Sequence, residues 1–355
     1  MQDLSLAFDL TGRCQLNCIH CAKKGMDRKA NLPLEVFKGV LPQAIKYGVK
    51  KLGFSGGEPT LHPHLFEILD IACEKGLTFY FVSNGWNFSE IWPTLSDYRK
   101  GVGTLFFSLD GAREETHDFH RAPGSYQRLM EAFRICQEEK VPFAIQSVVT
   151  ARSCPEIADI CLLAGRVGSR SLRFLDLKPT PQTVQLGLDL PPQKYIEIGA
   201  EVNRLARAFR FPVVMATGAH SMSYWFPCTA QHMEEFSVDV RGNLALCLNL
   251  TDYAGGVPGT EVAGNLAEMS FAEAHRRLVR LIAAFQEAKA TAIETGALDE
   301  RDLHFPCWSC AKYFQKMDWL ADFPGHPWNS NIDMSGLAVA NRSISEFQES
   351  LATRK

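Results

Sequence analysis

The sequence predicts an α/β fold: a partial (β/α)6 TIM-like barrel followed by a small α+β domain. Three observations carry that expectation. Over residues 1–178 a short apolar run alternates six times with an amphipathic stretch, the pattern of strands and helices in a parallel sheet. Polar and glycine residues gather at the C-terminal ends of the runs, where parallel barrels bind ligands. Beyond residue 228 the rhythm changes to a hairpin, a long helix and a Cys-x-x-Cys pair.

The strand candidates are 5–10, 51–56, 78–84, 104–110, 142–150 and 171–178. Aromatic and β-branched residues enrich most of them, as suits strands buried on both faces. Val36, Phe37, Val40, Leu41, Ala44 and Ile45 form a helical stripe, which Pro42 is expected to kink or break. Leu129, Phe133 and Cys136 form another, so Cys136 reads as core. Ser153 with Glu156 reads as a capping box opening the helix after the fifth strand.

Residues 179–227 read as a connector, a Pro- and Gln-rich loop over the barrel mouth and then a helix with proline at its start. Residues 228–322 hold the hairpin EFSVDVRGNLALCLN, turning at Arg241-Gly242-Asn243. The helix after it has Ser270 and Glu273 as a capping box and Leu278, Leu281, Ile282 and Phe285 as its buried stripe. The tail, 323–355, carries no signal.

The 355 residues are 46% hydrophobic and 22% charged, with 37 basic against 40 acidic side chains. The balance excludes little except partners that demand a basic surface: no basic run points to nucleic acid or an anionic membrane. No window reaches transmembrane length and the N-terminus lacks a signal-peptide pattern, so a cytoplasmic protein is expected. Eleven cysteines in that compartment are not a disulfide framework.

Seven cysteines fall into two sets. Cys14, Cys18 and Cys21 lie within eight residues on the loop after the first strand. Thiolate is the soft ligand that iron–sulfur clusters and zinc select, and three ligands leave one iron of a four-iron cluster open. A structural zinc knot or three unrelated buried cysteines are the blander alternatives; only His20 is near enough to be a fourth ligand. The second set, Cys228, Cys247, Cys307 and Cys310, supplies four thiolates with no vacancy, which suits a fully ligated 4Fe–4S cluster or a structural zinc.

The Cys14-x-x-x-Cys18-x-x-Cys21 spacing resembles the signature of the radical SAM superfamily. The resemblance implies a 4Fe–4S cluster whose open iron binds S-adenosylmethionine (SAM), and reductive cleavage of SAM to a 5′-deoxyadenosyl radical. Gly56-Gly57-Glu58-Pro59 resembles the family's GGEP motif, implying a contact with the methionyl amino group. Ser83, Asn84, Ser108 and Asp110 resemble positions lining the SAM pocket, and Gln146 resembles a polar SAM contact. Arg121 reads as a partner of the SAM carboxylate or as a surface ion-pairing arginine. His117 and His120 read as helix-surface residues.

Cys228, Cys247, the G-N-L-x-E-x-S-F segment and Cys307-x-x-Cys310 resemble the start of a SPASM domain. With no cysteine after Cys310, the shortened twitch form with one auxiliary 4Fe–4S cluster is implied. Oxidation or cross-linking of a ribosomally made peptide is the leading expectation. The alternatives are a small-molecule (amino-cyclitol or sugar) dehydrogenase, an epimerase with Cys154 or Cys161 as hydrogen donor, and a non-catalytic iron–sulfur protein. A reductase such as flavodoxin or ferredoxin is an expected partner. The chain starts almost at the first strand with no leader-recognition domain before it, which counts against the peptide reading unless a separate leader-peptide-binding protein supplies one.

Overall fold

The computed structural model describes residues 3–329, apart from 217, 219, 220, 222 and 298. The strands are β1 (Leu4–Thr11), β2 (Val49–Gly56), β3 (Thr78–Ser83), β4 (Val102–Ser108), β5 (Phe143–Val149), β6 (Leu172–Asp176), β7 (Val213–Met215), β8 (Glu235–Val238), β9 (Asn243–Ala245) and β10 (Val262–Asn265). The helices between the first six are α1 (Leu34–Lys46), α2 (Leu65–Glu74), α3 (Phe88–Leu95), α4 (Glu114–His120), α5 (Ser125–Glu138) and α6 (Ile157–Arg166). Then come α7 (Pro181–Gln185), α8 (Pro192–Ala206), α9 (Phe271–Glu294), α10 (Glu300–His304) and α11 (Pro306–Tyr313). Among these residues no helix is long and apolar enough to cross a membrane.

The strands form one sheet, ordered β10-β9-β8-β1-β2-β3-β4-β5-β6-β7. Pairing is parallel from β8 through β7, and antiparallel for β9 and β10. The parallel array with helices between its strands is the expected partial barrel. Both faces of β1 are buried: Phe8 meets Phe37 of α1 at 5.2 Å between ring centroids. On the concave side Tyr80 of β3 reaches across to donate to Glu235 of β8 at 2.9 Å. Gly53 of β2 makes room for it, because a Cβ there would stand 2.3 Å from the Tyr80 ring.

Several local expectations are corrected. Helix α1 runs on through Pro42 to Lys46; burial of Val36, Phe37, Val40, Leu41 and Ala44 on one face offsets the lost N–H. Ser153 and Glu156 form no capping box. The Ser153 hydroxyl accepts from Thr150 N at 3.0 Å, and Glu156 turns to Ala112 N at 2.8 Å and the Thr116 hydroxyl at 2.6 Å. Only half of the second box forms: the Ser270 side chain accepts from Glu273 N at 3.2 Å, while the Glu273 carboxylate faces Arg277 at 2.7 Å.

The connector contains two unforeseen elements, α7, capped reciprocally by Thr180 and Thr183, and the edge strand β7. The hairpin turns at Gly242, whose φ is +82°, a conformation glycine adopts without strain. Its first strand does not start a separate sheet but extends the barrel by pairing with β1. Part of the tail packs firmly: Trp328 stacks on Trp308 at 4.4 Å, and its indole N–H donates to Leu190 O at 2.8 Å. Residues 330–355 lie outside the described residues.

Candidate metal centres and ligand cavity

The loop after β1 is tied down by backbone bonds before its cysteines begin. Gly57 N donates to Thr11 O and Glu58 N to Arg13 O, both at 2.7 Å. A Cβ on Gly57 would lie 2.3 Å from Arg13 O, and one on Gly56 2.4 Å from Thr11 O, with Gly56 at φ +123°. The glycine pair is therefore required by the close crossing of the cysteine loop itself. Further along, Arg28 donates to Leu16 O at 3.1 Å and Cys14 O at 3.3 Å.

Held this way, Cys14, Cys18 and Cys21 line one cavity with Gly56, Gly57, Ser83, Asn84, Ser108 and Arg121. The cavity sits at the C-terminal ends of β1 to β4. Two donors point at sulfur: the Asn84 amide lies 3.7 Å from Cys14 Sγ, and the Arg121 guanidinium 3.9 Å from Cys18 Sγ.

Glu58 and Asp110 stand behind the cavity wall, each fully buried. Glu58 accepts from Asn84 N at 2.8 Å, the Thr60 hydroxyl at 2.8 Å and the Ser83 hydroxyl at 3.0 Å. Burial pushes its carboxyl up, and those bonds pull the other way. Asp110 accepts from Arg121 Nε at 2.6 Å and Val148 N at 2.8 Å, with His20 Nε2 at 3.2 Å. Burial would raise it, but Arg121 and His20 outweigh that and hold it well below the usual carboxylate range. Gln146 stands opposite Ser108 in the β4–β5 register and is not among the residues lining the cavity.

His117 and His120 are fully buried, which corrects their reading as surface residues; helix α4 packs inward. His120 bridges Thr116 O at 2.7 Å and the Thr150 hydroxyl at 2.8 Å. His117 accepts from Asp110 N through Nδ1 at 3.2 Å, so the neutral ring carries its proton on Nε2. Burial drives His117 down to about 3. A depressed histidine is protonated first in the unfolded chain, so stability is lost as pH falls below about 6.5. Between pH 6.5 and 5 this one group removes about 2 kcal/mol. Urea titrations at the two pH values should show a smaller difference in His117→Asn, whose amide oxygen replaces Nδ1; an unchanged difference would reject the assignment.

The second set converges as well. Cys228, Cys247, Cys307 and Cys310 line one cavity with Lys178, Gln231 and Tyr253. Cys307 and Cys310 come from α11, and Cys247 follows β9. Lys178 pairs with Asp176 at 2.5 Å and hydrogen-bonds Cys307. The Gln231 amide donates to Cys310 Sγ at 3.3 Å, and Asn249 N to Cys247 Sγ at 3.4 Å. Burial, with neighbouring thiols, pushes Cys247 up to about 12 and Cys310 well above its ordinary value. Metal binding to such thiols has to displace their protons. Among the described residues no three His, Cys, Asp or Glu side chains are arranged to share a single metal ion.

The two cavities are joined by backbone. Ala254 N donates to Ala22 O at 2.8 Å and Gly25 N to Asp252 O at 3.2 Å, so the chain after Cys247 lies along the chain after Cys21. Cys161 is fully buried in α6 and Cys154 half-buried beside it. Sequence reasoning missed Gln15, whose amide donates to Asn84 Oδ1 at 3.2 Å, as well as Arg28, Lys178, Gln231 and Lys289. Only Lys289 had a legible signal: it falls in the apolar stripe of α9, four residues after Phe285, and is buried. Burial brings it down to about 8, against the pull of Cys310 and Cys228.

Residues 9–151 match the family model of the Radical SAM superfamily. The AdoMet-dependent heme synthase of Methanosarcina barkeri is 31% identical over 180 residues, which are 49% of this chain and 51% of that protein. Mycofactocin maturase MftC of Mycobacterium tuberculosis is 28% identical over 193 residues, 53% of this chain and 48% of MftC. The chain thus spans about half the length of the curated relatives it matches. The solved structure of native anSMEcpe with bound AdoMet and Cp18Cys peptide superposes with a TM-score of 0.64 at 20% identity, covering 80% of this chain and 83% of that one. That is a likeness of fold. Residues 9–151, which hold Cys14, Cys18 and Cys21, carry a radical SAM domain.

Proposed function

We propose that the chain cleaves SAM reductively and uses the resulting radical to oxidise or cross-link a residue of a ribosomally made peptide. The observation that carries this reading is the convergence of Cys14, Cys18 and Cys21 on one cavity with the polar ends of β2 to β4. In it, Cys14, Cys18 and Cys21 hold a 4Fe–4S cluster, and Cys228, Cys247, Cys307 and Cys310 hold an auxiliary one. Support for a cluster over structural zinc at the first set comes from ligand count: three thiolates leave one iron of a four-iron cluster open, whereas structural zinc takes a fourth protein ligand. The functional division is a barrel at 1–178, a connector at 179–227 and an auxiliary unit at 228–322.

When bound, the three-cysteine cluster supplies the electron that splits SAM into methionine and a 5′-deoxyadenosyl radical able to take a hydrogen atom from the substrate. The protein's part is to bind and orient. Gly56, Gly57, Ser83, Asn84 and Ser108 form the SAM walls, with Gln146 beside Ser108 on the neighbouring strand. Arg121 presents its terminal nitrogens to anionic groups while Asp110 grips Nε; guanidinium matches carboxylate geometry. Glu58 fixes Ser83 and Asn84 from behind. The electron arrives from a reductase such as flavodoxin or ferredoxin, and a separate leader-binding protein presents the peptide. Eleven unpaired cysteines suit the reducing cytoplasm.

The peptide substrate rests on the maturase relative and on the peptide-bound structure whose fold the chain shares. A small-molecule substrate is the second reading, favoured by the heme synthase relative. Epimerisation through Cys161 is disfavoured by its complete burial. The test is anaerobic reconstitution of the chain, followed by SAM and a reductant. We expect about eight irons per chain and release of 5′-deoxyadenosine. About four irons with one zinc would remove the auxiliary cluster and the oxidative outcome with it.

A further inference from the structure

Lys289 is a buried cation that the proposed reaction does not use. It projects from α9 with 5% of its surface exposed. Its ammonium donates to Tyr224 O at 2.8 Å and Trp225 O at 3.3 Å, and lies 4.5 Å from the Phe285 ring centre. Among the described residues no carboxylate pairs with it. Among the described residues Asp302 is a carboxylate whose field reaches it, and it is paired with Lys312 at 3.0 Å. An ammonium so placed is costly unless negative charge stands nearby.

That charge is available through one side chain. Gln231, 1% exposed, accepts on Oε1 from Gln286 Nε2 at 2.9 Å and from Lys289 Nζ at 3.5 Å. Two donors on Oε1 fix the orientation of the amide, which leaves Nε2 to donate to Cys310 Sγ at 3.3 Å. The chain Lys289–Gln231–Cys310 thus runs from a fixed positive charge to a cluster ligand. Reduction of a thiolate-ligated cluster adds one negative charge, and both a nearby cation and a hydrogen bond to sulfur favour that state. Lys178 offers a second cation on the Cys307 side, but Asp176 neutralises it; among the described residues Lys289 has no such carboxylate.

We propose that Lys289, acting through Gln231, raises the reduction potential of the iron–sulfur cluster held by Cys228, Cys247, Cys307 and Cys310. The proposal rests on the auxiliary-cluster reading above. In the reaction, this makes the cluster the better acceptor for one electron from the substrate radical, whose accompanying proton goes to solvent or a base. Lys289 is a positioning and charge-setting residue and touches no reacting atom.

The experiment uses the full chain with Cys14, Cys18 and Cys21 all changed to alanine, so that only the second site is loaded. Iron is counted first, and an EPR-monitored redox titration follows, for the parent and for Lys289→Met, Lys289→Gln and Gln231→Leu. With about four irons per chain in each, both Lys289 variants should shift the midpoint to lower potential. A tenfold weaker reduction is expected, about 59 mV for one electron, and Gln231→Leu should shift it the same way by less. Unchanged midpoints at full iron would overturn the proposal while leaving the cluster reading intact. A parental potential in Lys289→Gln alone would assign the effect to hydrogen bonding rather than charge and also overturn it. Loss of iron from both lysine variants would make Lys289 a strut for residues 224–228, again overturning it. A parent that binds no iron sinks the auxiliary-cluster reading first, and the proposal with it.

Discussion

Changing Cys14, Cys18 and Cys21 together to alanine is expected to abolish 5′-deoxyadenosine formation, a loss limited only by the detection floor. Iron should fall from about eight to about four per chain. The iron count is what makes the result specific. Loss of product with all iron gone would remove the auxiliary-cluster reading, and product surviving in the variant would refute the assignment of these thiols. The loop should tolerate the change, because its shape is set elsewhere. Thr11 O and Arg13 O hold Gly57 and Glu58, Arg28 holds the carbonyls of Cys14 and Leu16, and Ile19 N donates to His120 O at 3.0 Å. None of these contacts uses a cysteine side chain.

The largest stability effect is expected at Asp110. Asp110→Ala strands the Arg121 guanidinium, 8% exposed at its side chain, and removes the acceptors of His20 and Val148 N. Breaking a buried ion pair from one side costs about 3–5 kcal/mol, measurable as a fall in the urea midpoint at pH 7. The pH dependence separates this from simple loss of packing. Asp110 titrates well below the usual carboxylate range in the folded chain, so its contribution is complete above about pH 4, the unfolded value. Below that the unfolded chain takes up the proton first, and wild type loses stability towards the variant. A gap that stays constant from pH 7 to pH 3 would show that charge is not the reason.

The barrel was legible because its signal is local. Strands buried on both faces read as apolar runs, and all six candidates overlap β1 to β6. The grouping of the cysteines into two sets was legible because thiolates at such spacing are soft metal ligands. What escaped depends on contacts between distant residues. Nothing in THDFHRAPGS tells that α4 turns His117 and His120 inward. Glu58 and Asp110 read as groups facing a ligand, yet both stand one layer back, and burial of neighbouring polar atoms decided their place. Ser153 and Glu156 had the spacing of a cap but found better partners in Thr150 and Thr116. Strand β7 was too short to announce itself, and the docking of Trp328 needed Trp308 and Leu190 to be in place.

The parallel pairing of β1 with β8 has a consequence for how the chain is made. Ser5 and Glu235, which meet there, are 230 residues apart. At about 5–20 residues per second, a ribosome needs roughly ten to fifty seconds to deliver β8 after β1 has emerged. Throughout that interval the outer edge of β1 has no neighbour, and an unpaired apolar edge is a template for aggregation. The nascent barrel is then an open sheet whose first strand waits for almost the last, so its yield in the cell should depend on what shields that edge during synthesis.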